Sequence, residues 1–254
     1  MQKMINIIIR GDKMNNAFNL ESNSIWSFKD RGNLNGHKGD YRGNWTPFVP
    51  RNIILRYSKE DDLVLDQFLG SGTTLMESKL LNRRGVGIDI NMAAINIAME
   101  RIKNIKGNTF MYIKKGDARN LDFIKNESID LICTHPPYSN IIKYSKDINE
   151  DLSLMSINNY YENINKVAEE AFRVLKKDKY CTIMIGDIRK NGFVIPLGFN
   201  VMNIFLKNNF RLKEIIIKEQ HNCKSTEKWR EISKKNNFLL IQHEYIFVLK
   251  KELF

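Results

Sequence analysis

From Thr46 onward the chain alternates short apolar runs with longer segments of helical period, and this alternation restricts its fold more than any other feature. The runs at 63–66, 85–89, 110–114, 129–134, 180–186, 210–218 and 244–249 read as strands. Apolar residues at helical spacing mark 73–82, 92–106, 158–175 and 197–207 between most of them. Parallel strands can be joined only through a crossover, usually a helix. The expected architecture is therefore a single α/β domain over 46–254, built on a seven-stranded, mostly parallel sheet. Residues 1–45 lack such periodicity and are rich in Gly, Asn and Lys, with Trp26, Phe28, Tyr41 and Trp45 set among charges. They are expected to form an irregular arm or lid. Inserts are expected near 139–156 and 219–242.

Glycines mark the first candidate site. In 63-LVLDQFLGSGTTLMES-78, Asp66 ends a strand, Gly70-Ser71-Gly72 forms a turn, and a helix opens at Thr73. Such a turn lets a ligand approach the backbone and adds free N–H groups at the helix start. A plain tight turn would need the same glycines. The next strand, 85-GVGIDI-90, ends in Asp89, where a carboxylate can accept both hydroxyl hydrogens of a ribose, and the third leads into 116-GDARNL-121 with Asp117. Three acidic strand ends at one sheet edge point to a nucleoside-like ligand. The Lys-Ser/Thr ending of a triphosphate-binding loop is absent.

The second candidate site is 130-DLICTHPPYSNII-142. A Pro-Pro pair cannot extend a sheet ladder, so the fourth strand must stop near Thr134. The rigid turn then holds His135, the Pro136 carbonyl, Pro137 and Tyr138 at the same edge as the glycine loop, with the Tyr138 ring available to stack on a flat group.

Taken together, 66-DQFLGSGTT-74, 134-THPPY-138, 46-TPFVPRNIILRYS-58 and 243-HEYIFVLKK-251 resemble the S-adenosylmethionine-dependent DNA amino-methyltransferases that modify cytosine N4 or adenine N6. The resemblance implies a Rossmann-like class I methyltransferase fold with an antiparallel last strand. It also implies S-adenosylmethionine as cofactor and a base flipped out of double-stranded DNA as substrate. By the same resemblance, Asp66, Phe68, Gly70, Ser71, Gly72 and Thr73 surround the methionine part, with Pro50 near its carboxylate. Asp89 would hold the ribose and Asp117 lie near the adenine amine. Thr134, His135, Pro136, Pro137 and Tyr138 would form the catalytic loop, in which His135 and the Pro136 carbonyl accept from the target amine and Tyr138 stacks on the base.

Relatives that methylate cytosine N4 usually carry Ser before Pro-Pro, and adenine N6 enzymes usually Asp or Asn. His135 departs from both, and the adjacent Thr134 favours cytosine N4 over adenine N6. Methylation of RNA or of a protein amide, and a catalytically silent nucleic-acid-binding module, are the alternatives. A cognate restriction endonuclease is an open partner.

Composition bears on the partner. The 40 Lys and Arg against 29 Asp and Glu leave a net charge of +11, which favours a polyanion. Arg31, Arg42, Lys143, Lys228 and Arg230 are the candidate nucleic-acid contacts, distributed over the arm and the two inserts. The three widely spaced cysteines, Cys133, Cys181 and Cys223, suggest neither a disulfide framework nor a metal knuckle. No metal, no membrane association and a cytoplasmic location are expected.

Overall fold

The computed structural model describes residues 18–32, 36–139, 145, 148–222 and 226–252. Lys143 and Cys223 lie outside the described residues. The chain runs β1 (Ile25–Ser27), α1 (Phe48–Tyr57), β2 (Leu63–Asp66), α2 (Thr73–Leu80), β3 (Arg84–Asp89), α3 (Met92–Lys103), β4 (Met111–Lys115) and β5 (Ile129–Thr134). It continues through α4 (Ile157–Val174), β6 (Leu175–Ile185), β7 (Ile188–Lys190), β8 (Phe193–Ile195), α5 (Leu197–Lys207), β9 (Phe210–Glu219), α6 (Thr226–Lys235) and β10 (His243–Lys251).

One eight-stranded sheet has the order β1-β9-β10-β6-β5-β2-β3-β4, and β7 and β8 form a separate hairpin. Only β10 runs against its neighbours, β6 and β9. All seven strands expected from the sequence are present, the last one antiparallel. The connections proceed outward from β2 through β3 to β4, then return to place β5 on the other side of β2. That reversal opens a crevice beyond the C-terminal ends of β2 and β5, the place where open α/β sheets bind ligands.

The central strands β2 and β5 are apolar on both faces because helices cover both. In α4, Tyr160, Ile164, Val167, Ala168, Ala171 and Val174 recur at helical spacing and pack with Leu197, Val201 and Phe205 of α5 on one face. Val49, Ile53 and Ile54 of α1 cover the other. Along β10 the alternation is direct: Tyr245, Phe247 and Leu249 join the first cluster, Ile246 and Val248 the second.

Three features depart from the expectations. The arm contributes an eighth strand: β1 pairs in parallel with β9, and Trp26, 1% exposed, anchors it in the core. Helix α1 forms despite Pro50, because a proline in the first helical turn sacrifices no intrahelical hydrogen bond. Strand β6 begins at Leu175 rather than near 180. Its charged stretch 176-KKDK-179 is tied down by Lys176 and Lys179, whose Nζ atoms lie 2.8 and 3.5 Å from Asp130 Oδ1. Among the described residues no helix is long and apolar enough to cross a membrane.

Candidate active site

Asp66 stands at the crevice with its carboxylate buried. Its Oδ1 accepts from Thr134 Oγ1 at 2.8 Å and from Phe68 N at 3.1 Å, and its Oδ2 accepts from Thr74 Oγ1 at 2.5 Å. Burial raises its pKa to about 6, against the lowering effect of those donors. The loop then turns through Gly70 at φ +50° and Gly72 at φ +87°. Gly72 starts α2, and a Cβ there would lie 3.0 Å from the Ala98 Cβ, so this glycine permits α2 and α3 to approach each other. At the end of β3, Asp89 accepts from Gly70 N and Asn91 N, each at 2.9 Å, and burial raises its pKa too.

Asp66, Gly70, Asp89 and Asn91 wall a cleft that also takes in Tyr41, Asn44, Trp45, Gln67, Phe68, Ser71, Thr73, Ile90, Asp117, Glu150, Asp151, Leu152, His135 and Pro137. Both amide atoms of Gln67 and the Ser71 hydroxyl are buried without a hydrogen-bond partner among the described residues. Orphaned polar groups beside an acidic strand end and apolar Phe68, Leu69 and Ile90 match a nucleoside with a polar tail. Asp117 lines the same cleft, but its carboxylate is engaged by Arg119, with Nε at 2.9 and 3.0 Å from its two oxygens.

A second cleft adjoins the first. Arg31, Asn44, Trp45, His135, Tyr138, Asp187, Lys218, His243 and Glu244 are among its lining residues, and Gly43, Asn44, Trp45 and His135 belong to both walls. His135 stacks on Trp45 with ring centroids 5.4 Å apart at 26°. Its Nε2 lies 3.3 Å from the Tyr138 hydroxyl, which donates to Glu244 Oε1 at 2.7 Å, while Lys218 Nζ donates to Glu244 Oε2 at 3.0 Å. Burial pulls the His135 pKa down to about 4, although the Glu244 charge opposes this, so the imidazole is neutral at physiological pH. Burial alone would raise the Glu244 pKa. The Lys218 charge, His135 and the Tyr138 hydroxyl outweigh it and hold the carboxyl below its usual range.

The arm is built into both clefts. Arg31 donates to the Asn44 and Trp45 carbonyls at 3.1 Å, and Thr73 Oγ1 donates to Asn44 Oδ1 at 2.5 Å. Further back, Glu77 of α2 binds His37 Nε2 and Arg51 Nε, both at 2.7 Å and all buried.

Of the residues singled out from the sequence, Asp66, Phe68, Gly70, Ser71, Thr73, Asp89, Asp117, His135, Pro137 and Tyr138 line one cleft or both. Pro50, Gly72, Thr134 and Pro136 line neither: Pro50 is buried in α1, and Thr134 points to Asp66. Arg31 braces the arm backbone at the edge of the second cleft. Arg42 is exposed, as are Lys228 and Arg230 on α6, where Arg230 pairs with Glu227 at 2.6 Å. Gln67, Trp45, Lys218 and Glu244 also line the clefts, and no sequence motif singles them out. A charged residue inside the apolar run 244–249 was the available signal for Glu244. Among the described residues, no group of three or more His, Cys, Asp or Glu is placed to hold a metal ion.

The sheet order, the antiparallel β10 and the crevice at the strand ends define the class as the Rossmann-like methyltransferase fold. A SAM-dependent methyltransferase from Methanosarcina mazei superposes with a TM-score of 0.56 at 18% identity, covering 80% of this chain and 98% of that one. TrmN from Thermus thermophilus superposes with a TM-score of 0.58 at 18% identity, covering 83% and 50%. Within that class the family is shown by sequence: the DNA methylase family model matches residues 5–100 and 129–253, most of the chain. The chain belongs to the DNA methylase family, whose cofactor is S-adenosylmethionine. Type II methyltransferase M.HpaI of Haemophilus parainfluenzae is 36% identical over 89 residues, 35% of this chain and 28% of that protein. The tRNA (guanine(10)-N2)-dimethyltransferase of Methanothermobacter thermautotrophicus is 34% identical over 99 residues, 39% and 29% of the two chains. Type II methyltransferase M.HindIII of Haemophilus influenzae is 47% identical over 58 residues, 23% and 19%. The matched segments thus span less than a third of these curated relatives.

Proposed function

We propose that the protein transfers a methyl group from S-adenosylmethionine to the exocyclic amine of a base flipped out of double-stranded DNA, cytosine N4 ahead of adenine N6. The observation that carries this reading is the shared wall of the two clefts, where a neutral His135 stands between the pocket lined by Gln67, Ser71 and Asp89 and the pocket edged by Tyr138 and Lys218. Gln67, Ser71 and Asp89 are the proposed anchors for the cofactor. When bound, it supplies a sulfonium methyl ready for in-line attack.

The amine nitrogen of a nucleobase is a poor nucleophile because its lone pair is conjugated into the ring. An acceptor on one of its hydrogens localises that pair, and a neutral imidazole is such an acceptor. In such a transfer the amine nitrogen would take the methyl carbon and the departing sulfur would keep the C–S electron pair. The nitrogen then sheds a proton, which His135 can take and pass to solvent. Tyr138 offers its ring face to the base. Arg42, Lys143, Lys228 and Arg230 are the proposed phosphate contacts, with Arg31 at the cleft edge.

Incubating unmethylated genomic DNA with methyl-labelled cofactor, then digesting it to nucleosides for mass spectrometry, tests the reading. N4-methylcytosine is the expected product, and N6-methyladenine would reverse the choice of base. The similarity to the tRNA guanine-N2 dimethyltransferase supports one second reading, an exocyclic amine in RNA. Label on tRNA in place of DNA would select it.

A further inference from the structure

We infer that Glu244 is a positioning residue that fixes the tautomer of His135, acting through the Tyr138 hydroxyl so that Nδ1 is the nitrogen left to accept from the target amine. This rests on the proposed transfer to an amine. It specifies which imidazole nitrogen serves and what holds it.

An ionised carboxylate can only accept, so the 2.7 Å contact between Glu244 Oε1 and the Tyr138 hydroxyl consumes the tyrosine proton. Towards His135 that hydroxyl then has only its oxygen to offer. The 3.3 Å contact from His135 Nε2 is therefore a donation from Nε2–H, and the Glu244 oxygen 3.9 Å from the same nitrogen favours the same proton position. A neutral ring protonated on Nε2 carries its lone pair on Nδ1. That atom makes no hydrogen bond among the described residues.

Two further contacts make the relay directional. Lys218 Nζ, 3.0 Å from Glu244 Oε2, keeps the carboxylate ionised in a place where it is only 7% exposed. Trp45 stacks on the imidazole and resists the ring flip that would exchange the two nitrogens. Buried carboxylates that orient a histidine through its second nitrogen are a general device, and here a tyrosine hydroxyl is interposed.

Without the acceptor at position 244, the Tyr138 hydroxyl proton can turn to Nε2 and move the ring proton to Nδ1. The test is imidazole ¹⁵N NMR on the whole 254-residue chain, assigned by a His135→Gln spectrum. The wild type is compared with Lys218→Met/Glu244→Leu, a pair chosen to leave no unpaired buried charge. The proposal expects an Nε2–H signature in the wild type and a shift towards Nδ1–H in the double variant. It also expects kcat on DNA to fall at least about tenfold, with cofactor affinity and melting temperature unchanged. An Nδ1–H wild type, or a double variant that keeps both tautomer and kcat, would overturn it. A wild type that methylates no DNA would refute the proposed function instead, and the tautomer measurement would still decide this inference.

Discussion

Thr134 Oγ1 donates to Asp66 Oδ1 across 2.8 Å, joining the last residue of β5 to the last residue of β2. These strand ends carry the two candidate loops, so this buried hydrogen bond ties the two loops together beside the paired strands that bear them. Thr134→Val removes the donor while keeping the shape, and leaves a buried carboxylate short of a partner. The expected loss of stability is about 1–3 kcal/mol, with Thr134→Ser recovering most of it, as read by urea unfolding.

The pH dependence of stability contains two opposed contributions. Asp66 has a folded pKa of about 6, raised above the ordinary 3.8, so it binds more protons folded than unfolded and its contribution is lost as pH rises through 6. His135 has a folded pKa of about 4, lowered from 6.5, so its contribution is present above 6.5 and lost as pH falls towards 4. The two partly cancel between pH 4 and 6.5. Asp66→Asn should expose the histidine term as a steeper gain in stability with rising pH over that window, up to roughly 3 kcal/mol. A profile parallel to the wild type would contradict these assignments.

Gln67 buries both amide atoms without a partner among the described residues. Gln67→Leu is expected to hold or raise the stability of the free protein, since it removes a desolvation cost of about 1–3 kcal/mol. It should also weaken S-adenosylmethionine binding about tenfold or more by calorimetry. Equal affinity in the variant would show that the amide faces protein alone.

Glu77 ties the arm to the sheet domain through His37 and also holds Arg51 of α1. Glu77→Ala strips the negative charge from a buried cluster and should cost about 3–5 kcal/mol. The arm should then become sensitive to proteolysis before the rest of the chain. Coincident loss of arm and domain would mean that Trp26 in the core anchors the arm by itself.

The parts of this structure that were legible in the sequence are those in which local pattern and tertiary role agree. Strands β2 and β5 are apolar on both faces and stop at Asp66 and Thr134, where a glycine loop and a Pro-Pro turn cannot continue a ladder. Helix α4 carries its core residues at helical spacing after the Ser156 cap. What was illegible depends on long-range partners. Three residues around Trp26 become a strand only because β9 offers an edge. Lys176 and Lys179 tolerate a strand because Asp130 lies opposite. Glu244 reaches Tyr138 across 106 positions of chain, and no local period records such a contact.

The central claim is that the two clefts meet at His135 to pass a methyl group to a base amine. Its most direct test is single-turnover transfer of labelled methyl from S-adenosylmethionine to unmethylated duplex DNA, comparing the wild type with His135→Ala. The account predicts label on a base amine with the wild type and a loss of about 10²-fold or more in the variant, at unchanged cofactor affinity. Tight cofactor binding with no label on DNA from the wild type, or full transfer by His135→Ala, would contradict it.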